Sequence, residues 1–87
     1  MPIQPSGDVV SRNLSGEEVL LHLGTGVYFG LNETGTRLWH LLLETRDKEM
    51  AIARFKQEFD VDDALLRKDV DDLLLKLKDK GLLRIDP

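Results

Sequence analysis

Side chains capable of acid–base, nucleophilic or metal chemistry are few in this chain, and none is grouped with the partners such chemistry needs. His22 and His40 are the only histidines, and neither has a carboxylate or a cysteine at ligand spacing. Asp62-Asp63 and Asp71-Asp72 are adjacent pairs on segments that read as helix, so the two carboxylates of each pair point in different directions. They make poor acid–base couples. Gly24-Thr-Gly26 resembles a phosphate cradle only superficially, because no Lys-Ser/Thr follows and its flanks read as strands. Ser6, Ser11 and Ser15 lie in turn-like or strand contexts without a base nearby in sequence. The chain does not read as an enzyme, and no metal or other cofactor is expected.

Composition narrows the remaining classes. A chain of 87 residues, 41% of them hydrophobic, is one domain with a modest core and is too apolar for a disordered segment. It has no cysteine, which excludes disulfides and thiolate metal sites and fits a cytoplasmic protein. No apolar run approaches the roughly 18 residues of a membrane span, and Met1-Pro-Ile-Gln-Pro5 lacks the layout of a signal peptide. The formal net charge is −4, with acids and bases interspersed. Without a basic block, nucleic acid is a poor partner on charge.

The elements read as three strands and then three helices, an α+β, winged-helix-like plan with a three-stranded antiparallel sheet. Residues 1–7, with two prolines, a serine and a glycine, predict a disordered lead-in; residues 8–87 predict a single domain. Asp8 to Leu14 is extended, Asn13-Leu-Ser-Gly16 is turn material, and Glu17 to Leu23 and Val27 to Leu31 are the clearest strands. Read as a three-residue hairpin loop, Gly24-Thr-Gly26 pairs Leu23 with Val27, Leu21 with Phe29 and Val19 with Leu31. That register gathers these six apolar side chains on the face to be buried and leaves Glu18, Leu20, His22, Tyr28 and Gly30 on the other.

In the helices, Asn32 or Thr34 can cap the first, whose apolar stripe is Leu38, Trp39, Leu41 and Leu42. Asp47 can cap the second, with Ile52, Phe55 and Phe59 on one face. Asp60 or Asp62 opens the third, which runs to about Lys80 and stops at Gly81. At about 100° per residue, Leu66, Val70, Leu73, Leu74 and Leu77 form its core stripe. Beside that stripe runs a mixed line of Leu65, Asp69, Asp72, Lys76 and Lys80. Periodicity alone reads this line as a solvated flank laced with pairs such as Asp72 and Lys76.

Three stretches carry a resemblance that changes this account: Thr25-Gly-Val-Tyr-Phe-Gly-Leu-Asn-Glu-Thr-Gly-Thr-Arg-Leu-Trp39, Phe59-Asp-Val-Asp62, and Asp69-Val-Asp-Asp-Leu-Leu-Leu-Lys-Leu77 followed by Lys80-Gly-Leu-Leu83. Together, over roughly residues 8 to 85, they resemble the PqqD-like family, the peptide-recognition elements of pathways that make ribosomally synthesised, post-translationally modified peptides. The stand-alone length is similar to the discrete leader-binding proteins of lasso-peptide clusters, whose partner is a separate leader peptidase. The sister case is a PqqD-type chaperone serving a radical-SAM enzyme. The resemblance implies a non-catalytic adaptor, without cofactor, that receives a precursor's leader as a further antiparallel strand and presents it to a processing enzyme.

By position, it implies a pairing edge of Val27, Tyr28, Phe29, Gly30 and Leu31, and a helical wall of Leu65, Asp69, Asp72, Leu73, Lys76, Leu77 and Lys80. Backbone bonds would supply sequence-tolerant affinity, and alternate leader side chains would set specificity. Two other classes stand beside it. A winged-helix nucleic-acid binder should present Arg, Lys, Asn or Gln on its recognition helix, whereas here Asp63, Asp69, Asp71, Asp72 and Asp79 interleave with the lysines. A homodimer could form by pairing the free strand edges of two copies.

Overall fold

The computed structural model describes residues 3–85. Its elements are β1 (Ile3–Pro5), β2 (Val9–Leu14), β3 (Glu17–His22), β4 (Tyr28–Gly30), α1 (Glu33–Thr45), α2 (Lys48–Glu58), α3 (Asp63–Asp79) and β5 (Leu83–Ile85). The antiparallel sheet β2-β3-β4 followed by three helices is the plan the sequence predicts. A second, two-stranded sheet pairs β1 with β5.

That second sheet corrects the disordered lead-in expected over residues 1–7. Ile3 lies opposite Ile85 and is fully buried, and the Ser6 amide donates to the Leu82 carbonyl. The prolines suggest disorder, but Pro5 sits in an outer strand, where a missing amide donor is tolerated. Residues 1, 2, 86 and 87 lie outside the described residues, so that part of the expectation does too.

The β3–β4 register is the second correction. Val19 pairs with Gly30, Leu20 with Phe29 and Leu21 with Tyr28, one residue away from the three-residue-loop alignment. The loop has four residues, Leu23 to Gly26, closed by His22 N–H to the Val27 carbonyl and Gly26 N–H to the His22 carbonyl, both 2.8 Å. His22 stabilises it further: Nδ1 accepts from the amides of Gly24 (3.1 Å) and Thr25 (3.2 Å). Gly26 supplies the positive φ of +76° that completes the reversal. A one-residue slip turns a strand over. Leu20 therefore enters the core fully buried, while Val19 and Leu21 face outward with the exposed Val10, Leu14 and Tyr28. β4 keeps the expected faces, with Phe29 and Leu31 inward.

The helices begin where capping chemistry places them. Asn32 Oδ1 accepts from Gly35 N–H, Asp47 Oδ1 from Met50 N–H and Asp62 Oδ2 from Leu65 N–H, each satisfying an otherwise orphaned donor. Leu38, Trp39, Leu41 and Leu42 of α1 pack with Ala51, Ile52 and Phe55 of α2 and with Leu66, Val70, Leu74 and Leu77 of α3. Trp39 is core, as its place on the stripe predicts, although its buried indole N–H finds no hydrogen-bond partner among the described residues.

The helical layer is tied to the sheet by polar groups. Thr36 Oγ1 accepts from Glu18 N–H at 2.8 Å and donates to the Leu31 carbonyl at 3.3 Å. The buried Glu18 carboxylate accepts from Asn13 Nδ2 at 3.0 Å and lies 3.2 Å from His40 Nε2. Hydrogen bonds from Asn13 and then Ser11 and His40 outweigh burial and hold the Glu18 carboxyl below its ordinary range.

Candidate peptide-binding site

The last strand of the three-stranded sheet has one neighbour. In an antiparallel pair, residues alternate between those that exchange both backbone bonds with the partner and those whose peptide groups turn away. His22 bonds Val27, and Leu31 N–H donates to the Glu18 carbonyl at 2.8 Å. The alternation makes Leu20–Phe29 the bonded pair between them. Tyr28 and Gly30 therefore direct their N–H and C=O groups away from β3. Among the described residues, no other backbone bond engages those groups. The two residues form a short open edge able to accept an extended backbone.

α3 stands beside this edge. The Lys80 ammonium lies 5.8 Å from the Phe29 ring centroid, within cation–π range, and so joins the end of the helix to β4. Farther along, a hollow of about 310 Å³ is lined by Asn32, Thr34, Gly35 and Leu38 from the β4–α1 side and by Asp69, Asp72, Leu73 and Lys76 from α3. A second hollow of about 170 Å³ continues past Thr34 and Asp69, lined mainly by Phe55, Phe59, Val61, Leu65 and Leu66. Because Thr34 and Asp69 line both, the two make one trough along α3. Arg67 steadies the helix against α2 by bonding Asp63 and Glu49, each at 2.9 Å. Bonds from Lys56 and Arg67 hold the Asp63 carboxyl below its ordinary range.

The structure brings together Leu65, Asp69, Asp72, Leu73 and Lys76 on the trough wall, and Lys80 at its β4 end. Leu77 is not there: it is fully buried and packs behind the wall. Val27, Phe29 and Leu31 engage β3 through their backbone, and Leu31 is buried, so the open edge contracts to Tyr28 and Gly30. Sequence reasoning missed the opposite bank. Asn32 and Thr34 were visible only as helix caps. Phe59 and Val61 are both exposed apolar residues of the Phe59-Asp-Val-Asp62 stretch, and the available signal was that stretch's place in the family resemblance, just ahead of a helix start.

Among the described residues, no group of His, Asp and Glu is placed to hold a metal ion. His22 serves the hairpin loop and His40 the Glu18 carboxylate. No helix among the described residues is long and apolar enough to cross a membrane.

Residues 17–83 match the family of the coenzyme PQQ synthesis protein D, PqqD. Two solved structures are similar over nearly the whole chain. One, described as TbiB1 in complex with the TbiA(beta) leader peptide, is 39% identical with a TM-score of 0.87, covering 97% of this chain and 98% of that one. The other, described as lasso peptide synthetase B1 complexed with the leader peptide, is 20% identical with a TM-score of 0.86, covering 98% of this chain and 100% of that one. No curated protein matches the chain.

Proposed function

The chain belongs to the PqqD family, and from that membership we propose that it is a non-catalytic adaptor for the leader peptide of a ribosomally made precursor. The leader adds to β4 as an antiparallel strand and lies in the trough along α3. Backbone bonds to Tyr28 and Gly30 supply sequence-tolerant affinity, and side chains entering the trough supply selectivity. The observation that carries this reading is the open edge of Tyr28 and Gly30 beside a trough with one mixed polar hollow and one apolar one. The similar chain bound to the TbiA(beta) leader peptide supports it.

The bound leader is presented to a processing enzyme. As that enzyme we propose the leader peptidase of a lasso-peptide pathway, which the family resemblance implies, rather than a radical-SAM enzyme of the PqqD type. Nucleic acid is a poor alternative, because α3 exposes Asp69, Asp71, Asp72 and Asp79, which repel phosphate. Pairing of two copies through β4 would use the same amides as the leader, so the two associations compete.

Titration with the TbiA(beta) leader peptide, and with the leader of the precursor encoded nearest this gene, tests the proposal. At least one is expected to saturate with a Kd in the micromolar range or tighter, about −8 kcal/mol or better. Absence of a saturable signal with both would overturn it.

A further inference from the structure

The trough has a direction. Lys80 lies over Phe29, Asn32 shares a hollow with Asp72 and Lys76, and Thr34 lies with Leu65 and Asp69. Advancing from Phe29 to Thr34 thus means moving back along α3, from Lys80 toward Leu65. The chain passing from β4 into the start of α1 therefore runs against α3. A guest strand antiparallel to β4 runs with α3 and meets Asp69 before Lys80.

Charge along that path is ordered. Asp72 and Lys76 carry opposite charges one helical turn apart in the middle, so their fields at a guest largely cancel although no ion pair joins them among the described residues. Asp69 and Lys80 stand outside that couple, and neither belongs to an ion pair among the described residues. About 16 Å of helix axis separates them, which an extended guest covers in about five residues. A guest threaded in the opposite sense would meet each charge with the wrong end.

We propose that this chain reads the polarity of its guest, selecting segments with basic side chains toward the N-terminus and acidic side chains about four or six residues later on the same face of the strand. The inference rests on the peptide-binding reading and specifies the chemistry of the peptide. Asp69 and Lys80 set specificity; the β4 amides, indifferent to side chains, supply the common affinity. Charge order also opposes registers that slide along the edge, since a shift of two residues moves both guest charges off their partners.

Two versions of the TbiA(beta) leader peptide test this. They share one composition and carry two lysines and two glutamates across the bound segment in either order. The version with lysines first is expected to bind about tenfold more tightly at low salt, with the gap closing in high salt as exposed pairs are screened. A protein carrying both Asp69→Lys and Lys80→Glu, at two exposed positions, is expected to reverse the preference. Equal affinity for the two versions, or a preference the double variant does not reverse, overturns the polarity rule and leaves peptide binding intact. If the unaltered TbiA(beta) leader does not bind, the two versions are built on the leader of the precursor encoded nearest this gene; failure of both unaltered leaders removes the peptide-binding reading and the rule together.

Discussion

At the scale of single residues, the open edge is a matter of amide direction rather than side-chain identity. Gly30 lies opposite Val19 on the outward face, and a Cβ built there meets nothing within 4 Å. Gly30→Ala is therefore expected to keep both fold and leader affinity. Gly30→Pro removes an amide that points away from β3, so no β3–β4 bond is lost, and an outer strand tolerates the ring. It is expected to fold and to lose at least about tenfold in leader affinity, the effect of roughly 1.4 kcal/mol from one lost backbone bond. Calorimetric titration of the two variants separates the amide from the bulk of the side chain.

Glu18 tests a different residue-scale claim, that a buried carboxylate pins the sheet to α1. Its depressed pKa stabilises the fold above the ordinary carboxylate value, and this contribution is lost as pH falls through the folded-state value. Glu18→Gln is expected to cost about 1 kcal/mol near neutral pH, with the deficit shrinking in acid. Urea unfolding of variant and wild type across that range gives the comparison.

Elements show where sequence was legible and where it was not. The helix starts were readable to within two residues, from Asn32 or Thr34, from Asp47 and from Asp60 or Asp62, because capping is local; the structure uses Asn32, Asp47 and Asp62. The core stripes of α1 and α3 follow from periodicity. The β3–β4 register did not, because both faces of β3 are apolar enough to serve. What decided it was the four-residue loop and the contacts of His22 and Glu18, which involve residues remote in the chain or hydrogen bonds invisible to a hydrophobic pattern. For the same reason the bank formed by Asn32, Thr34, Phe59 and Val61 was not legible, since it is assembled from two separate segments, whereas the mixed line along α3 lies on one helix and shows in its periodicity. Neighbouring leucines check the register. Leu20→Ala is expected to cost about 2–5 kcal/mol as a buried cavity, whereas Leu21→Ala, on the outward face, should cost under about 1 kcal/mol. Denaturant midpoints of the two variants decide it; the reverse order would restore the three-residue loop.

On the scale of the whole molecule, the two ends of the described chain close the domain. A radius of gyration of 12.4 Å matches the ~12 Å of a compact chain this long, and the β1–β5 pair helps complete it. Ile3 is fully buried beside Leu82 and Leu83, and its amide donates to the Arg46 carbonyl at the end of α1. The same ribbon continues from α3, where Leu82 N–H bonds the Leu77 carbonyl. The helix that walls the trough is thus held at its Lys80 end by a strand from the far end of the sequence. Truncating Ile3 to Ala opens a cavity in the core and loosens that clasp, at a cost of about 2–4 kcal/mol. For a domain of this size the melting temperature is expected to fall by roughly 10–20 °C. Differential scanning calorimetry reads the shift directly. A dispensable lead-in would leave the transition where it was, so an unchanged melting temperature would remove Ile3 from the core and with it the anchoring of α3 by the β1–β5 ribbon.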